Sequence, residues 1–525
     1  MSPQQAARMP PAFADDVYAL GCTMILLLTG LDPRRVFFAS EKHRVRQLLE
    51  LSNGAPPELI EVVAACVNNT PTARPHLQSV KTTIQHCIAS LVDRKTSSRS
   101  ATLGFEKGQN GSPNLDQLNK YISGGQQGLL RDVISDQASG LWLSPALESI
   151  SNQGVSTSQG SYELRRSANR GVAGVVYMLG RLARFGHGMN PVYDKAQRSI
   201  EWLLKNEPTP DDQMPGLHFG EAGVAVAISE AISGGLMNHT DQLDAYLRAA
   251  LSGPLDWPDI THGAAGQGIA AFSCADRLRD PTLLVLAHRC ANYLIAHQKE
   301  DGSWEMPPGV EGMSGQTLTG FAHGVSGIVY FLAEYARRFG DSSARKAWQA
   351  GAAWLVEQAI PTDDGQALEW VYSNTQNDRW KWWCHGSPGI ALTFLKLYEQ
   401  TGDLLYAESA TKALKVHPLN IRCPNLSQCH GLSGLGEIYL EAGRVLADQQ
   451  WYDRAKVIAK ILIDLCHKTE KGSVTWPVEN PHMATADLMV GSSGVLHFLL
   501  RLKLDGEEMS FPLLLDPIET QGRPC

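Results

Sequence analysis

The sequence predicts an all-α protein whose larger part is an α/α toroid, with seven inner helices ringed by seven outer helices. Of its 525 residues, 43% are hydrophobic and 19% are charged, which is ordinary for a globular chain. From about residue 115 onward, a G-x-x-G step that runs into an apolar helical stretch occurs seven times. Successive steps lie 43–62 residues apart, which is room for an inner helix, a loop, an outer helix and a return.

The seven repeats place a glycine at each predicted start of an inner helix. A glycine there lets two backbones approach closely and permits a lead-in turn with positive φ. Because the first N–H groups of each helix then open toward the ring centre, the seven starts should meet at one end of the toroid, where a site is expected. The first glycines of the seven steps are Gly171, Gly220, Gly263, Gly324, Gly386, Gly431 and Gly491.

The chain before the repeats has a different pattern. Residues 1–93 read as helical, with a buried helix that ends at Gly30, a second helix over 57–67 and a third to about Val92. Residues 94–114 are polar and rich in Ser, Gly and Lys, which predicts a linker. The predicted organisation is therefore a helical segment over 1–93, a linker over 94–114, the toroid over 115–510 and a tail over 511–525.

Composition and charge exclude several classes of function. A net charge of −8 argues against non-specific nucleic-acid binding. The ten cysteines are scattered and form no disulfide framework. The N-terminus lacks a signal pattern, and the apolar run over 19–28 is too short to cross a bilayer. We therefore expect a reduced, cytoplasmic protein without a membrane span.

Two repeats carry residues that suit a metal. Cys384 and Cys429 each lie two residues before the first glycine of their step, and each is followed by a histidine, His385 or His430. Zinc favours thiolate and imidazole ligands, and a catalytic zinc has three protein ligands and one open position. Both cysteines together with one of the two histidines would supply these three ligands. The spacing does not decide which histidine takes part.

Two further polar residues precede glycine steps in other repeats. His323 lies one residue before its glycine, and Asp259 lies four residues before its own. An imidazole and a carboxylate beside a zinc could perform general acid–base chemistry. The alternative is that Asp259 caps a helix.

At these motifs the chain resembles the lanthionine synthetase C-like cyclases of lanthipeptide biosynthesis. The resemblance covers roughly residues 160–505 and rests on the seven glycine steps, AHG at 322–324, WCHG at 383–386 and CHG at 429–431. It implies an α/α toroid with a zinc ion at its mouth and selects His430 over His385, so that Cys384, Cys429 and His430 are the ligands. It also implies His323 as the catalytic acid and Asp259 as the residue that accepts or orients a proton.

The resemblance has two departures near WCHG. His385 stands where the family often has an aromatic or another residue, and the family's arginine before this motif is matched in spacing by Trp380, with Arg379 beside it. His385 and Arg379 are therefore candidates for contact with the substrate.

The activity implied by the resemblance is the closing of thioether rings. A cysteine thiolate of a dehydrated precursor peptide, held by Zn²⁺, adds to the β-carbon of a dehydroalanine or dehydrobutyrine. Two alternatives are addition of glutathione to dehydroamino acids in proteins and a non-catalytic remnant that binds a leader peptide. Glycosidases and terpene cyclases with α/α toroids use paired carboxylates or Asp-rich motifs, and neither stands out at these helix starts.

The N-terminal segment has its own resemblance, to the C-terminal lobe of protein kinases. It rests on ADDVYALGCTMILLLTG and on TARP at 72–75. In multi-domain synthetases such a domain phosphorylates Ser and Thr before elimination. Because the chain has no Gly-rich phosphate loop, H-R-D step or D-F-G step, we expect a truncated remnant without kinase activity and a separate dehydratase protein as partner.

Overall fold

The computed structural model describes residues 1–31, 33–35, 41–52, 55–97, 112–146, 162–189, 192–208, 216–309, 312–419, 421, 423, 425–480 and 483–517. The chain divides into two compact units. The first consists of residues 1–113, 420–424 and 463–467, and the second of residues 114–419, 425–462 and 468–525. No helix within these ranges is both long and apolar enough to cross a membrane.

The first unit is a small helical assembly. Its helices are α1 (Pro3–Ala6), α2 (Phe13–Thr29), α3 (Glu41–Leu51), α4 (Pro57–Cys66) and α5 (Leu77–Ser97). Helix α2 ends where the sequence predicts, because Gly30 takes the left-handed conformation at φ 67° and closes the helix with a hydrogen bond to Leu26. Helices α2 and α3 both pack on α4. Residues 98–111, most of the predicted linker, lie outside the described residues.

The second unit alternates outer and inner helices. The outer helices are α6 (Leu115–Arg131), α8 (Tyr193–Lys205), α10 (Asp241–Leu251), α12 (Leu284–Ala296), α14 (Ser342–Glu357), α16 (Leu404–Leu414) and α18 (Gln449–Asp464). The inner helices are α7 (Val172–Arg184), α9 (Glu221–Ser233), α11 (Ala264–Leu278), α13 (Val325–Phe339), α15 (Ser387–Thr401), α17 (Leu432–Leu446) and α19 (Ser492–Lys503). Each inner helix contacts the next, and α19 contacts α7, so the predicted seven-membered α/α toroid is confirmed.

Burial explains which helices lie inside. Helix α11 is buried continuously from Ala264 to Ala275, whereas the outer helix α12 buries only four residues, on one face. The described ranges also contain three short 3-10 helices, Pro33–Arg35, Pro71–Ala73 and Pro281–Leu283. Six two-residue strands complete them: β1 (Ser144–Pro145), β2 (Tyr162–Glu163), β3 (Ile360–Pro361), β4 (Leu368–Glu369), β5 (His467–Lys468) and β6 (Val474–Thr475). Strands β1 and β2 pair antiparallel, as do β3 and β4.

A closed ring of backbone hydrogen bonds joins the seven lead-in loops. In each repeat, the residue two positions before the first glycine donates its N–H to the carbonyl of the equivalent residue in the next repeat, over 2.8–3.2 Å. The last of these residues donates to the first, which closes the ring. The members are Asn169, His218, Thr261, Ala322, Cys384, Cys429 and Met489. The backbone therefore fixes both cysteines at equivalent, adjacent positions.

The glycines of the repeats act mainly through close approach. A methyl group on Gly389 would lie 2.0 Å from the carbonyl oxygen of Trp383, and the second glycine of every other step meets its own lead-in carbonyl in the same way, at 1.9–2.2 Å. The prediction of positive φ is right only for Gly171 and Gly386, at 146° and 106°. It is wrong for the other five first glycines, because there the chain enters the helix in an extended conformation.

The predicted tail packs on the toroid over the part that is described. Phe511, Leu513 and Leu514 are buried. The Asp516 carboxylate lies 2.6 Å from the buried Arg181 guanidinium, which also contacts Glu230. Residues 518–525 lie outside the described residues.

Candidate metal centre and acid–base residues

The candidate site lies where the lead-in loops meet the starts of the inner helices. The residue directly before the first glycine is a histidine in four consecutive repeats: His262, His323, His385 and His430. Because the backbone ring holds the loops in register, these four side chains come from equivalent positions on neighbouring repeats. The fold thus places four imidazoles along one arc of the toroid mouth.

Cys384, Cys429 and His430 form a compact group of metal-ligand type. One donor atom from each of the three lies within 4.8 Å of the other two. The two cysteines belong to adjacent repeats, joined by a hydrogen bond from the Cys384 N–H to the Cys429 carbonyl at 3.2 Å. The three residues that the family resemblance selects are therefore brought together, and His385 is not part of this group.

The chemistry of this group fits zinc. The hydrogen bond with Cys384 and burial raise the pKa of the Cys429 thiol well above its ordinary value, because a second thiolate beside the first is repelled. A dication relieves such repulsion, and two thiolates with one imidazole are ligands that zinc prefers. Three protein ligands leave one position open, as in catalytic rather than structural zinc sites.

A carboxylate orients the histidine of this group. Glu479 Oε1 lies 3.3 Å from His430 Nε2, and the Arg170 guanidinium lies 3.4 Å from the same oxygen. Burial would lower the pKa of His430, but its contacts with Cys429 and Glu479 outweigh burial and raise the pKa to about 10. A carboxylate on Nε2 leaves Nδ1 for a metal, which is how outer carboxylates commonly fix metal-binding histidines.

Asp259 and His323, the predicted acid–base pair, are in direct contact. Asp259 is fully buried, and its Oδ2 lies 2.9 Å from His323 Nδ1. Burial would raise the pKa of the Asp259 carboxyl, but hydrogen bonds and charge from His262 and His323 hold it below its usual range. The carboxylate therefore stays ionised and can orient His323 and stabilise its protonated form.

His262 joins this pair from the same loop as Asp259. Its Nδ1 lies 3.1 Å from Asp259 Oδ2, and its backbone N–H donates to Asp259 Oδ1 over 3.0 Å. Burial lowers the pKa of His323, and the nearby His262 lowers it further, while the bond to Asp259 acts in the opposite direction. Two imidazoles thus share one carboxylate.

His385 lies between the two clusters. Its ring stacks on His323 with centroids 5.3 Å apart, and Tyr372 packs against it at 4.6 Å. Burial and the neighbouring His323 and His430 lower the pKa of His385 well below its ordinary value, so the ring is neutral. His385 is therefore a packed, uncharged neighbour of both clusters.

Arg379, the other residue predicted to contact the substrate, lies on the loop before Cys384. Its side chain is 45% exposed and pairs with Glu369, with Nη1 to Oε2 at 3.2 Å. Lys381 pairs with the other oxygen of Glu369 at 3.0 Å, and half of Trp380 is exposed nearby in sequence. The loop presents a cationic and aromatic surface, and Arg379 pairs with Glu369 rather than with Cys384, Cys429 or His430.

Two site residues were not assigned a role from the sequence. Glu479 lies outside every repeat motif, 49 residues beyond His430, so no local pattern points to it. His262 carries a signal, since it occupies the same position before a glycine as His323 and His430. Its contact with Asp259 follows from the turn that brings residues three apart together.

Comparison with known proteins identifies the family and the fold that this chain resembles. The family profile described as "Lanthionine synthetase C-like protein" matches residues 163–515. The solved structure of "Nisin cyclase" is similar, with a TM-score of 0.50 and 17% sequence identity over 66% of this chain and 90% of that one. At this identity the likeness establishes the fold, a lanthionine-cyclase-type toroid.

A curated relative matches over a shorter stretch. "Glutathione S-transferase LANCL1" of Danio rerio is 25% identical over 198 residues, which is 38% of this chain and 45% of that protein. The match thus spans about half the length of this relative. Because the profile match covers about two thirds of the chain, the protein belongs to the lanthionine synthetase C-like family.

Proposed function

We propose that this protein is a zinc-dependent cyclase that adds peptide cysteine thiols to dehydroalanine or dehydrobutyrine, giving lanthionine or methyllanthionine. The observation that carries the proposal is the presence of two clusters on one end of the toroid. Cys384, Cys429 and His430 form a thiolate–imidazole group, and Asp259 with His323 forms a buried acid–base pair. The first suits binding of a thiol, and the second suits delivery of a proton.

The first cluster binds the nucleophile. When bound by Cys384, Cys429 and His430, zinc would lower the pKa of a substrate thiol at its open position and hold it as the thiolate. The backbone ring and Glu479 keep the three side chains in place before substrate arrives. The chain's own contribution is thus a preorganised, partly buried ligand set.

The second cluster handles the proton. Addition of sulfur to the β-carbon of the dehydro residue leaves an enolate, whose α-carbon must take one proton. His323 donates Nδ1–H to Asp259, so Nε2 is the ring nitrogen that would carry the proton to the substrate. His323 is therefore the proton donor, and Asp259 stabilises its protonated form. The thiol's proton passes to solvent when the thiolate forms, and one proton is delivered to carbon, so the overall addition neither gains nor loses atoms.

The substrate requires a preceding reaction. A dehydroamino acid forms by loss of water from Ser or Thr, usually after activation of the hydroxyl. We assign that step to a dehydratase activity. The precursor peptide and the protein that dehydrates it are the partners that this proposal implies.

A second candidate is addition of a free thiol, such as glutathione, to dehydroamino acids in proteins. The name of the relative from Danio rerio favours it for that protein. The same two clusters would serve, since only the carrier of the thiol changes. The two candidates differ in whether the thiol and the dehydro residue belong to one molecule.

The test uses a synthetic peptide that contains one dehydroalanine and one cysteine a few residues apart. Zinc-loaded protein should consume the peptide thiol without a change of peptide mass, as measured by alkylation and mass spectrometry. Cys384→Ala should abolish the enzymatic rate. Cys290→Ala, which removes a buried thiol from α12, is the matched control and should be active. Consumption no faster than without protein would contradict the cyclase proposal. In a parallel assay with added glutathione, a product heavier by one glutathione would favour the second candidate.

A further inference from the structure

The Asp259 carboxylate is contacted by more hydrogen-bond donors than the predicted pair of Asp259 and His323 requires. Asp259 accepts three hydrogen bonds, from His323 Nδ1, His262 Nδ1 and the His262 backbone N–H, at 2.9, 3.1 and 3.0 Å. Both side-chain donors use the same oxygen, Oδ2. When two imidazole N–H groups donate to the same carboxylate oxygen, each hydrogen bond is weaker than it would be alone. The contact with His262 therefore weakens the hydrogen bond between Asp259 and His323.

The rings around this carboxylate form a continuous stack. Phe219 and His262 are stacked with centroids 5.5 Å apart, His262 and His323 at 4.9 Å, and His323 and His385 at 5.3 Å. Their planes differ by 14°, 23° and 24°. The His323 ring thus stacks with both His262 and His385, and its Nδ1 is bonded to Asp259.

We propose that His262 is a positioning residue for the proton donor His323, acting through the shared Asp259 oxygen and through the ring stack. The inference rests on the proposed function, since it gives His323 the role of proton donor. His262 itself contacts no reacting atom in this account. His262 keeps the His323 ring in one orientation and weakens the hydrogen bond between His323 and Asp259. Protonated His323 then releases its proton to carbon more readily.

The other charged or titratable groups around His323 do not replace this role. His385 is neutral, because burial lowers its pKa well below the ordinary value. His218 is fully buried, and burial together with His323 and His262 lowers its pKa to about 3, so it is neutral as well. Asp259 is the carboxylate in hydrogen-bond contact, and His262 is the side chain that competes with His323 for it.

Two substitutions separate the two contributions of His262. His262→Phe keeps a flat ring between Phe219 and His323 but removes the hydrogen bond. His262→Asn removes the ring but keeps an N–H donor near the position of Nδ1. Circular dichroism and thermal unfolding of the full chain would establish that both variants fold.

The first measurement does not depend on the activity. Hydrogen–deuterium exchange at Cε1 of His323, followed by mass spectrometry across pH, gives the titration midpoint of that residue. We expect His262→Phe to raise the midpoint by about 0.5–1 pH unit, because one competing donor is lost from Asp259. His262→Asn should restore a midpoint near that of the wild type. Unchanged midpoints in folded His262→Phe would overturn the inference whether or not the protein is a cyclase.

The second measurement uses the dehydroalanine peptide. In His262→Phe we expect kcat to fall about tenfold with KM unchanged and the alkaline limb of the pH profile to move upward, with His262→Asn recovering most of the rate. Equal losses of kcat in both variants, together with unchanged titration midpoints of His323, would mean that His262 acts only through packing and would overturn the inference. Zinc content of two per chain in the wild type, falling to one in His262→Phe, would assign Asp259, His262 and His323 to a second metal and also overturn the inference.

Discussion

Replacing Glu479 with alanine tests how the proposed metal centre is built, because this carboxylate contacts His430, one of the proposed ligands. The Glu479 Oε1 to His430 Nε2 distance is 3.3 Å, and the two side chains are 26% and 35% exposed. Loss of such an outer carboxylate commonly weakens metal affinity about 10–100-fold. Since this pair is partly exposed and solvent weakens it, we expect the lower end, about tenfold, or ~1.4 kcal/mol.

The assay is competition for zinc with a chromophoric chelator at fixed pH and salt. Glu479→Gln keeps an oxygen that can accept from His430 but loses the charge, so its affinity should lie between those of the wild type and Glu479→Ala. Glu305→Ala is the control, because this residue is an exposed carboxylate that pairs with Lys299. It changes the net charge equally and should leave zinc affinity unchanged.

The refuting result is specific. If Glu479→Ala binds zinc as tightly as the wild type and as Glu305→Ala, then Glu479 does not orient His430. If Glu479→Gln is as weak as Glu479→Ala, the charge of Glu479 matters and its capacity to accept a hydrogen bond does not.

Three other predictions follow from the same structure. Asp259→Asn should lower kcat in the peptide assay about 100-fold while zinc content stays unchanged, because His323 loses its charged partner; full activity would contradict the acid–base assignment. Gly389→Ala should lower the free energy of unfolding by about 3 kcal/mol or more in urea, because its methyl group would lie 2.0 Å from the Trp383 carbonyl, whereas Gly188→Ala meets no atom and should be near neutral. His218 is buried, and neither of its ring nitrogens has a hydrogen-bond partner among the described residues; burial with nearby imidazoles lowers its pKa to about 3. Below about pH 6.5 His218 is protonated in the unfolded chain but stays neutral in the folded protein. The free energy of unfolding should therefore fall by up to ~1.4 kcal/mol per pH unit as the pH drops from 6.5 toward 3, and by less in His218→Phe. An equal loss in both proteins would refute this cause.

The glycine repeats made the fold predictable from sequence. Each repeat has the same local need, since its second glycine passes a carbonyl of its own lead-in loop at a distance that admits no Cβ. This requirement for glycine is local in sequence and recurs every 43–62 residues, so the number of G-x-x-G steps predicts the number of inner helices. Positive φ, one of the two reasons for a glycine at the first position, is right only at Gly171 and Gly386, because φ depends on the path of each lead-in loop.

The site was predictable only in part, because its contacts join distant repeats. The equivalence of Cys384 and Cys429 follows from their register before a glycine. Their adjacency depends on the backbone ring, which no single repeat encodes. The contact between Asp259 and His323 spans 64 residues, and Glu479 reaches His430 from a loop outside the repeats. Neither contact has a sequence period that could reveal it.

The metal centre is the claim on which the rest of the account depends, and metal analysis of the purified full chain tests it most directly. We expect about one zinc per chain in the wild type and in Cys290→Ala. Cys384→Ala and Cys429→Ala should each lose most of it under the same purification. Zinc content that is unchanged in both of these variants, or a wild type that binds no zinc when it is supplied, would contradict the assignment of Cys384, Cys429 and His430.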